Sequence, residues 1–83
     1  MSGRARVEYE QWLIALGQTI RRERQAQRLS IEALAHKAGV TSAHLGRIER
    51  GQVKLRVTTL YALAQALGVT VVSLMVAADD ETA

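Results

Sequence analysis

The chain contains no cysteine, no proline and no phenylalanine; its aromatic residues are Tyr9, Trp12 and Tyr61. Without cysteine there is neither a disulfide nor a thiolate metal site, which fits a reducing compartment. Long hydrophobic runs are missing too. The longest apolar-rich stretch, Val69 to Ala78, is interrupted by Thr70 and Ser73 and falls far short of the ~20 residues that span a bilayer. The first residues, MSGRARVEYE, are polar and charged, unlike a secretory signal. These absences point to a cytoplasmic protein with no membrane partner. What remains is dominated by Ala, Leu, Arg, Gln and Glu, all good helix formers. The expected fold class is all-α. Eighty-three residues make one domain, with a core small enough that dimerisation would help it.

Positive charge is absent from the last third of the chain. All 11 Lys and Arg lie at or before Arg56, against Glu8, Glu10, Glu23, Glu32 and Glu49. Beyond Arg56 the only charges are Asp79, Asp80 and Glu81. One side of the molecule is therefore expected to be basic, either to meet a polyanion or simply as a solvated face.

Hydrophobic periodicity predicts five helices. The first runs from about Glu8 to Gln27, with Trp12 or Leu13, Leu16 and Ile20 at spacings of three and four. Arg21, Arg22 and Arg28 fall on its polar side, whereas Arg24 continues the apolar stripe. Ser30 caps a second helix, Ile31 to Ala38, whose inward face is Ile31, Leu34, Ala35 and Ala38. Gly39 supplies a left-handed residue at its end, and Val40 packs inward. Thr41 caps a third helix, Ser42 to Arg50, with Leu45 and Ile48 in the core, and Gly51 ends it. After a loop carrying Lys54 and Arg56, Thr58 caps a fourth helix, Thr59 to Leu67, with Leu60, Leu63, Ala64 and Leu67 inward. Gly68 stops it, and Thr70 caps a fifth helix, Val71 to about Ala77. The domain core is thus expected over about 8–77, with residues 1–7 and 78–83 as flexible tails.

The stretch LSIEALAHKAGVTSAHLGRIERG, Leu29 to Gly51, is two short helices joined by a tight turn. That layout can hold one helix rigidly in a DNA major groove. A reading helix needs short or polar side chains outward and apolar ones on its back. Here Leu45 and Ile48 face back, leaving Ser42, Ala43, Gly46 and Arg47 outward, with His44 nearby. With LGQTIRRERQAQRLS before it and TTLYALAQALGV after it, the segment resembles the Cro/phage-repressor type of helix-turn-helix regulator, the XRE family. The resemblance covers about Leu16 to Met75.

The resemblance implies a five-helix compact bundle of the lambda-repressor-like DNA-binding type. It also implies a transcriptional regulator with double-stranded DNA as partner. It places base contacts at Ser42, Ala43 and Arg47. Arginine can bond both acceptors of a guanine edge; the alternative for Arg47 is a phosphate contact alone. Ala43 either reads a thymine methyl or is a spacer. His44 is a phosphate or base-edge contact, or merely exposed. Phosphate contacts fall at Ser30, Arg50, Lys54 and Arg56, where a solvated surface charge is the other reading of each cation. The family's position for a bracing Gln at the start of helix two holds Ile31 here, which can compensate only by an apolar contact, with Val40 or His44. Gly46 costs roughly 1 kcal/mol of helix stability relative to Ala and either permits close DNA approach or is tolerated. Arg24 and Glu49 occupy positions that form an ion pair in the family, joining helix one to the end of the reading helix. Arg24 in an apolar stripe needs such a partner in any case.

Val72 and Val76, with Thr59 and Tyr61 on the preceding helix, are left without cover by the core. They mark either a two-fold homodimer or scattered surface valines. His36 and His44 lie on different helices and lack the i, i+4 zinc pattern, so no metal is expected. No nucleophile elbow or phosphate-binding glycine loop appears, so neither catalysis nor a cofactor is expected. No small-molecule ligand is expected. Short chains of this kind resemble restriction–modification controllers and small phage repressors. Two other classes stay open: an antitoxin that binds its own promoter and a toxin protein, and a helical protein-interaction module that no longer binds DNA.

Overall fold

In a computed structural model describing residues 2–82, the first helix, α1 (Gly3–Ala26), begins well before the periodic stripe that predicts it. Ser2 holds extended backbone angles, and its side-chain oxygen accepts from the Ala5 N–H at 3.2 Å. One turn on, the Arg4 Nε donates to Glu8 Oε1 at 3.1 Å. A cap and an i, i+4 ion pair both favour helix where no apolar pattern exists. The expected tail over residues 1–7 is thus corrected to a helical start, save Met1, which lies outside the described residues.

The next two helices, α2 (Ile31–Ala38) and α3 (Ser42–Glu49), are capped by Ser30 and Thr41, whose side-chain oxygens accept from the Ala33 and His44 N–H groups at 3.0 Å. Between them Gly39 sits at φ 73°, a conformation that would strain any residue carrying a Cβ. The α3 helix ends at Glu49, one residue short of its expected end, with Arg50 as its C-cap.

The fourth helix, α4 (Val57–Leu67), starts two residues earlier than the sequence suggests. Arg56, not Thr58, holds the N-cap position and makes no side-chain capping bond. The last helix, α5 (Val71–Thr82), turns 103° away from α4. Thr70 caps it, its Oγ1 accepting from the Ser73 N–H at 3.0 Å.

The end of α5 is the second correction. Three carboxylates at a helix C-terminus oppose the helix dipole, which argues for fraying at 78–83. Packing against α1 overrides this. Ala78 is fully buried, the Trp12 indole N–H donates to Asp79 Oδ1 at 2.7 Å, and Arg22 pairs with Glu81. Ala83 lies outside the described residues.

The core runs through all five helices, with Leu16, Ile20, Leu34, Leu45, Leu63 and Leu74 fully buried. Val40 packs on it from the turn before α3. On α5, Met75 is exposed. The inward stripe of α5 follows Val71, Leu74 and Ala78, and Met75 lies off its edge. Among the described residues there is no strand, and no single helix is long and apolar enough to cross a membrane.

Candidate nucleic-acid interface

The face that α3 presents is set by what its other side buries. Leu45, Ile48 and Glu49 are buried, whereas Ala43 and Arg47 are exposed and Ser42 and His44 half-buried. Short side chains at the start of the helix and a free guanidinium one turn later leave room to approach a base edge.

Gly46 does not share that outward face. It is buried, and a Cβ built on it would lie 3.6 Å from Ile31 Cδ1 and 3.2 Å from Arg50 Nη1. Ile31 therefore lies over Gly46, the first residue of α2 covering the middle of α3. The missing side chain makes space for Ile31 and the Arg50 guanidinium, so close DNA approach does not explain this glycine.

Two devices fix α3 to α1. The first is Gly17, in the middle of α1. A Cβ there would stand 2.3 Å from the Ile48 carbonyl oxygen and 2.6 Å from that of Glu49. The helices touch backbone to backbone at this point. The sequence gives little warning of it, since a lone glycine in an apolar stripe reads as a mere weak point. The second is the ion pair. Arg24 donates from Nε to Glu49 Oε2 at 2.7 Å and from Nη2 to Oε1 at 3.0 Å, while Nη1 donates to the Leu29 carbonyl at 2.9 Å. The Arg24 side chain is 13% exposed and that of Glu49 5%. The hydrogen bond to Glu49 raises the Arg24 pKa above its ordinary value even though burial opposes the charge. Such a bidentate pair fixes angle as well as distance.

The candidate phosphate ligands surround this helix pair. Ser30, Arg50, Lys54 and Arg56 are all exposed. The Ser30 oxygen already accepts from the Ala33 N–H, which leaves its O–H free to donate. Arg50 donates from Nε to the Gln52 side-chain oxygen at 3.1 Å, holding its guanidinium beside the loop after α3. Of the residues considered for self-association, Thr59 is half-buried, whereas Val72 is 68% and Val76 51% exposed. Val72, Met75 and Val76 fall at i, i+3 and i+4, one face of α5. Among the described residues no group of three or more His, Asp or Glu is placed to hold a metal ion.

The chain is similar to known regulators over most of its length. The helix-turn-helix family model matches residues 20–74, from within α1 into α5. The uncharacterized HTH-type transcriptional regulator y4dJ of Sinorhizobium fredii is 37% identical over 65 residues, covering 78% of this chain and 84% of that one. Among solved structures, the restriction–modification controller protein C.AhdI from Aeromonas hydrophila superposes with a TM-score of 0.73 at 35% identity, covering 75% of this chain and 94% of its own. The clp gene regulator ClgR from Corynebacterium glutamicum gives 0.83 at 25% identity, covering 86% and 76%. These proteins are regulators rather than enzymes. With α2 and α3 joined by the Gly39 turn, and a family match across most of the chain, the protein belongs to the HTH_3 (XRE-type) family of DNA-binding helix-turn-helix transcriptional regulators.

Proposed function

We propose that the protein acts as a homodimer on a pseudo-palindromic operator, with α3 of each copy in the major groove. The observation that carries this is the division of α3 into a buried back and a face of exposed Ala43 and Arg47 with half-buried Ser42 beside them. Arg47 is the base reader, and Ser30, Arg50, Lys54 and Arg56 hold phosphates and set the register. Val72 and Val76 supply the two-fold contact, with Thr59 at its margin. Two reading helices then stand about 34 Å apart, one turn of DNA.

Selection of bound fragments from a random DNA pool tests the reading. The expected product is an inverted repeat with half-sites about one turn apart. Arg47→Ala should change the preference at one position in each half-site and cost about 1–3 kcal/mol there. A mutant that weakens all sequences equally makes Arg47 a phosphate ligand instead. A pool that shows no enrichment at low salt removes the operator reading and leaves the protein-interaction module.

The dimer has its own test. The double variant Val72→Asp, Val76→Asp adds charge only where the side chains are exposed, so the helical circular-dichroism signal should be unchanged. Sedimentation should show a monomer, and operator affinity should fall by roughly 100-fold or more as the linkage between half-sites is lost. A dimer that persists with wild-type affinity moves the interface away from α5.

A further inference from the structure

The first four turns of α1 precede the segment that the helix-turn-helix family model matches, and one face of them overlooks the loop that follows α3. Arg6, Tyr9, Glu10, Leu13 and Ile14 stand at i, i+3, i+4, i+7 and i+8, one helical face. Together with Gly51, Gln52, Val53 and Lys54 they line a single open groove of about 700 Å³.

The two walls of this groove are locked together at one end. Gly51, at φ 69°, would bring a Cβ within 2.6 Å of the Ile14 Cα. No other residue both adopts that backbone angle and fits that approach. The direction of α1 is thereby fixed relative to the loop carrying Lys54. Arg6 lies eight residues from this contact, about 12 Å along the helix axis.

The charges at the rim are available for a ligand. Among the described residues neither Arg6 nor Lys54 forms an ion pair. Arg4, in contrast, is paired with Glu8 and points about 200° round the helix from Arg6, away from the groove. Glu10 is the one carboxylate in the lining. The floor of Leu13, Ile14 and Val53 is apolar, a surface on which long cationic side chains lay their stems while their heads reach outward.

We propose that Arg6 and Lys54 form a two-point clamp on the DNA sugar–phosphate backbone, and that the start of α1 thereby extends the interface beyond the helix-turn-helix. This rests on the operator reading above. The occupant is a phosphate strand because the groove continues from the loop bearing Lys54 and Arg56, and because its rim carries two cations outside any ion pair, one on each of two walls joined at Gly51. The clamp carries no sequence information; it adds affinity and salt dependence alone.

The test is the slope of log affinity against log salt, measured on the operator obtained by selection, for the wild-type protein, Arg6→Ala, Arg6→Lys and Arg4→Ala. Each phosphate contact contributes about 0.9 to the slope. Arg6→Ala should lower the slope by about that amount, so that a fourfold rise in salt weakens the wild type roughly three- to fourfold more than the variant. The selected sequence should not change. Arg6→Lys should restore the slope, and Arg4→Ala should leave it alone. Circular dichroism checks that each variant keeps its helix content. A wild type that binds its operator with a slope indifferent to Arg6→Ala overturns the clamp while the operator reading stands. An equal loss with Arg4→Ala overturns it as well, since general charge then accounts for the effect. A wild type that selects no operator overturns both.

Discussion

Glu49→Ala should cost about 3–5 kcal/mol of stability, enough to leave the domain close to unfolded at room temperature if it begins near the lower end of the usual 5–15 kcal/mol. The loss does not come from the ion pair's own worth, since taking two charges out of water offsets most of their attraction. It comes from what remains. Arg24 keeps its bond to the Leu29 carbonyl but is left as an unneutralised cation in a site where its side chain is only 13% exposed. Urea denaturation followed by circular dichroism measures the effect. Arg24→Met combined with Glu49→Met should recover most of the stability, because it removes both charges and fills similar volume. The same double variant should bind DNA less well than its stability suggests, since the close approach at Gly17 then holds α1 to the end of α3 without the bidentate bond that fixes their angle. A single-variant loss under about 1 kcal/mol would mean that the pair is effectively solvated, in the range of surface ion pairs.

Gly17→Ala is the second large effect, and its origin is steric. The added methyl would sit 2.3 Å from one backbone carbonyl oxygen and 2.6 Å from the next, both in the last turn of α3. A flexible side chain could swing aside; a helix backbone cannot, so α1 and α3 must separate. Overpacking costs about 1–3 kcal/mol when side chains can adjust, and a backbone clash belongs at or above the top of that range. Alanine is otherwise a better helix former than glycine by about 1 kcal/mol, so propensity alone predicts the opposite sign. Gly46→Ala is the matched comparison. Its Cβ would meet only the ends of Arg50 and Ile31, at 3.2 and 3.6 Å, and the propensity gain should dominate. Thermal melts of the two variants should move in opposite directions. If both rise, α1 and α3 do not meet backbone to backbone at Gly17.

Much of this arrangement can be read from local chemistry. Ser30, Thr41 and Thr70 cap helices as their positions suggest, and Gly39 takes the left-handed angle of a helix end. Each of these signals acts within about one helical turn of itself, which is why a single sequence reveals it. Arg24 was legible for a different reason: a cation in an apolar stripe requires an answer, and the structure supplies Glu49. The misses have several causes. Residues 3–7 have no apolar period, so their helix depends on Ser2 and the Arg4–Glu8 pair. The last turn of α5 depends on contacts with Trp12 and Arg22, far away in the chain. Thr58 is a good capping residue that α4 bypasses by starting earlier. Gly46 and Gly17 resemble one another in sequence as isolated glycines within helices. Only the neighbouring helices distinguish them, one lying beneath the Ile31 side chain and the other against a bare backbone.

The bond between Trp12 and Asp79 joins residues 67 positions apart, and Trp12 is the sole tryptophan of the chain. The protein therefore carries an optical reporter at the contact that closes its longest loop. Helix formation is local and fast, whereas closing a loop of this length carries the larger entropic cost. Tryptophan emission and backbone ellipticity accordingly watch different events: one follows the meeting of the two outermost helices, the other the winding of all five. Agreement of the two signals in time would mark the whole chain as a single cooperative unit. A lag in emission would mean that the helix-turn-helix assembles first, with α5 docking afterwards.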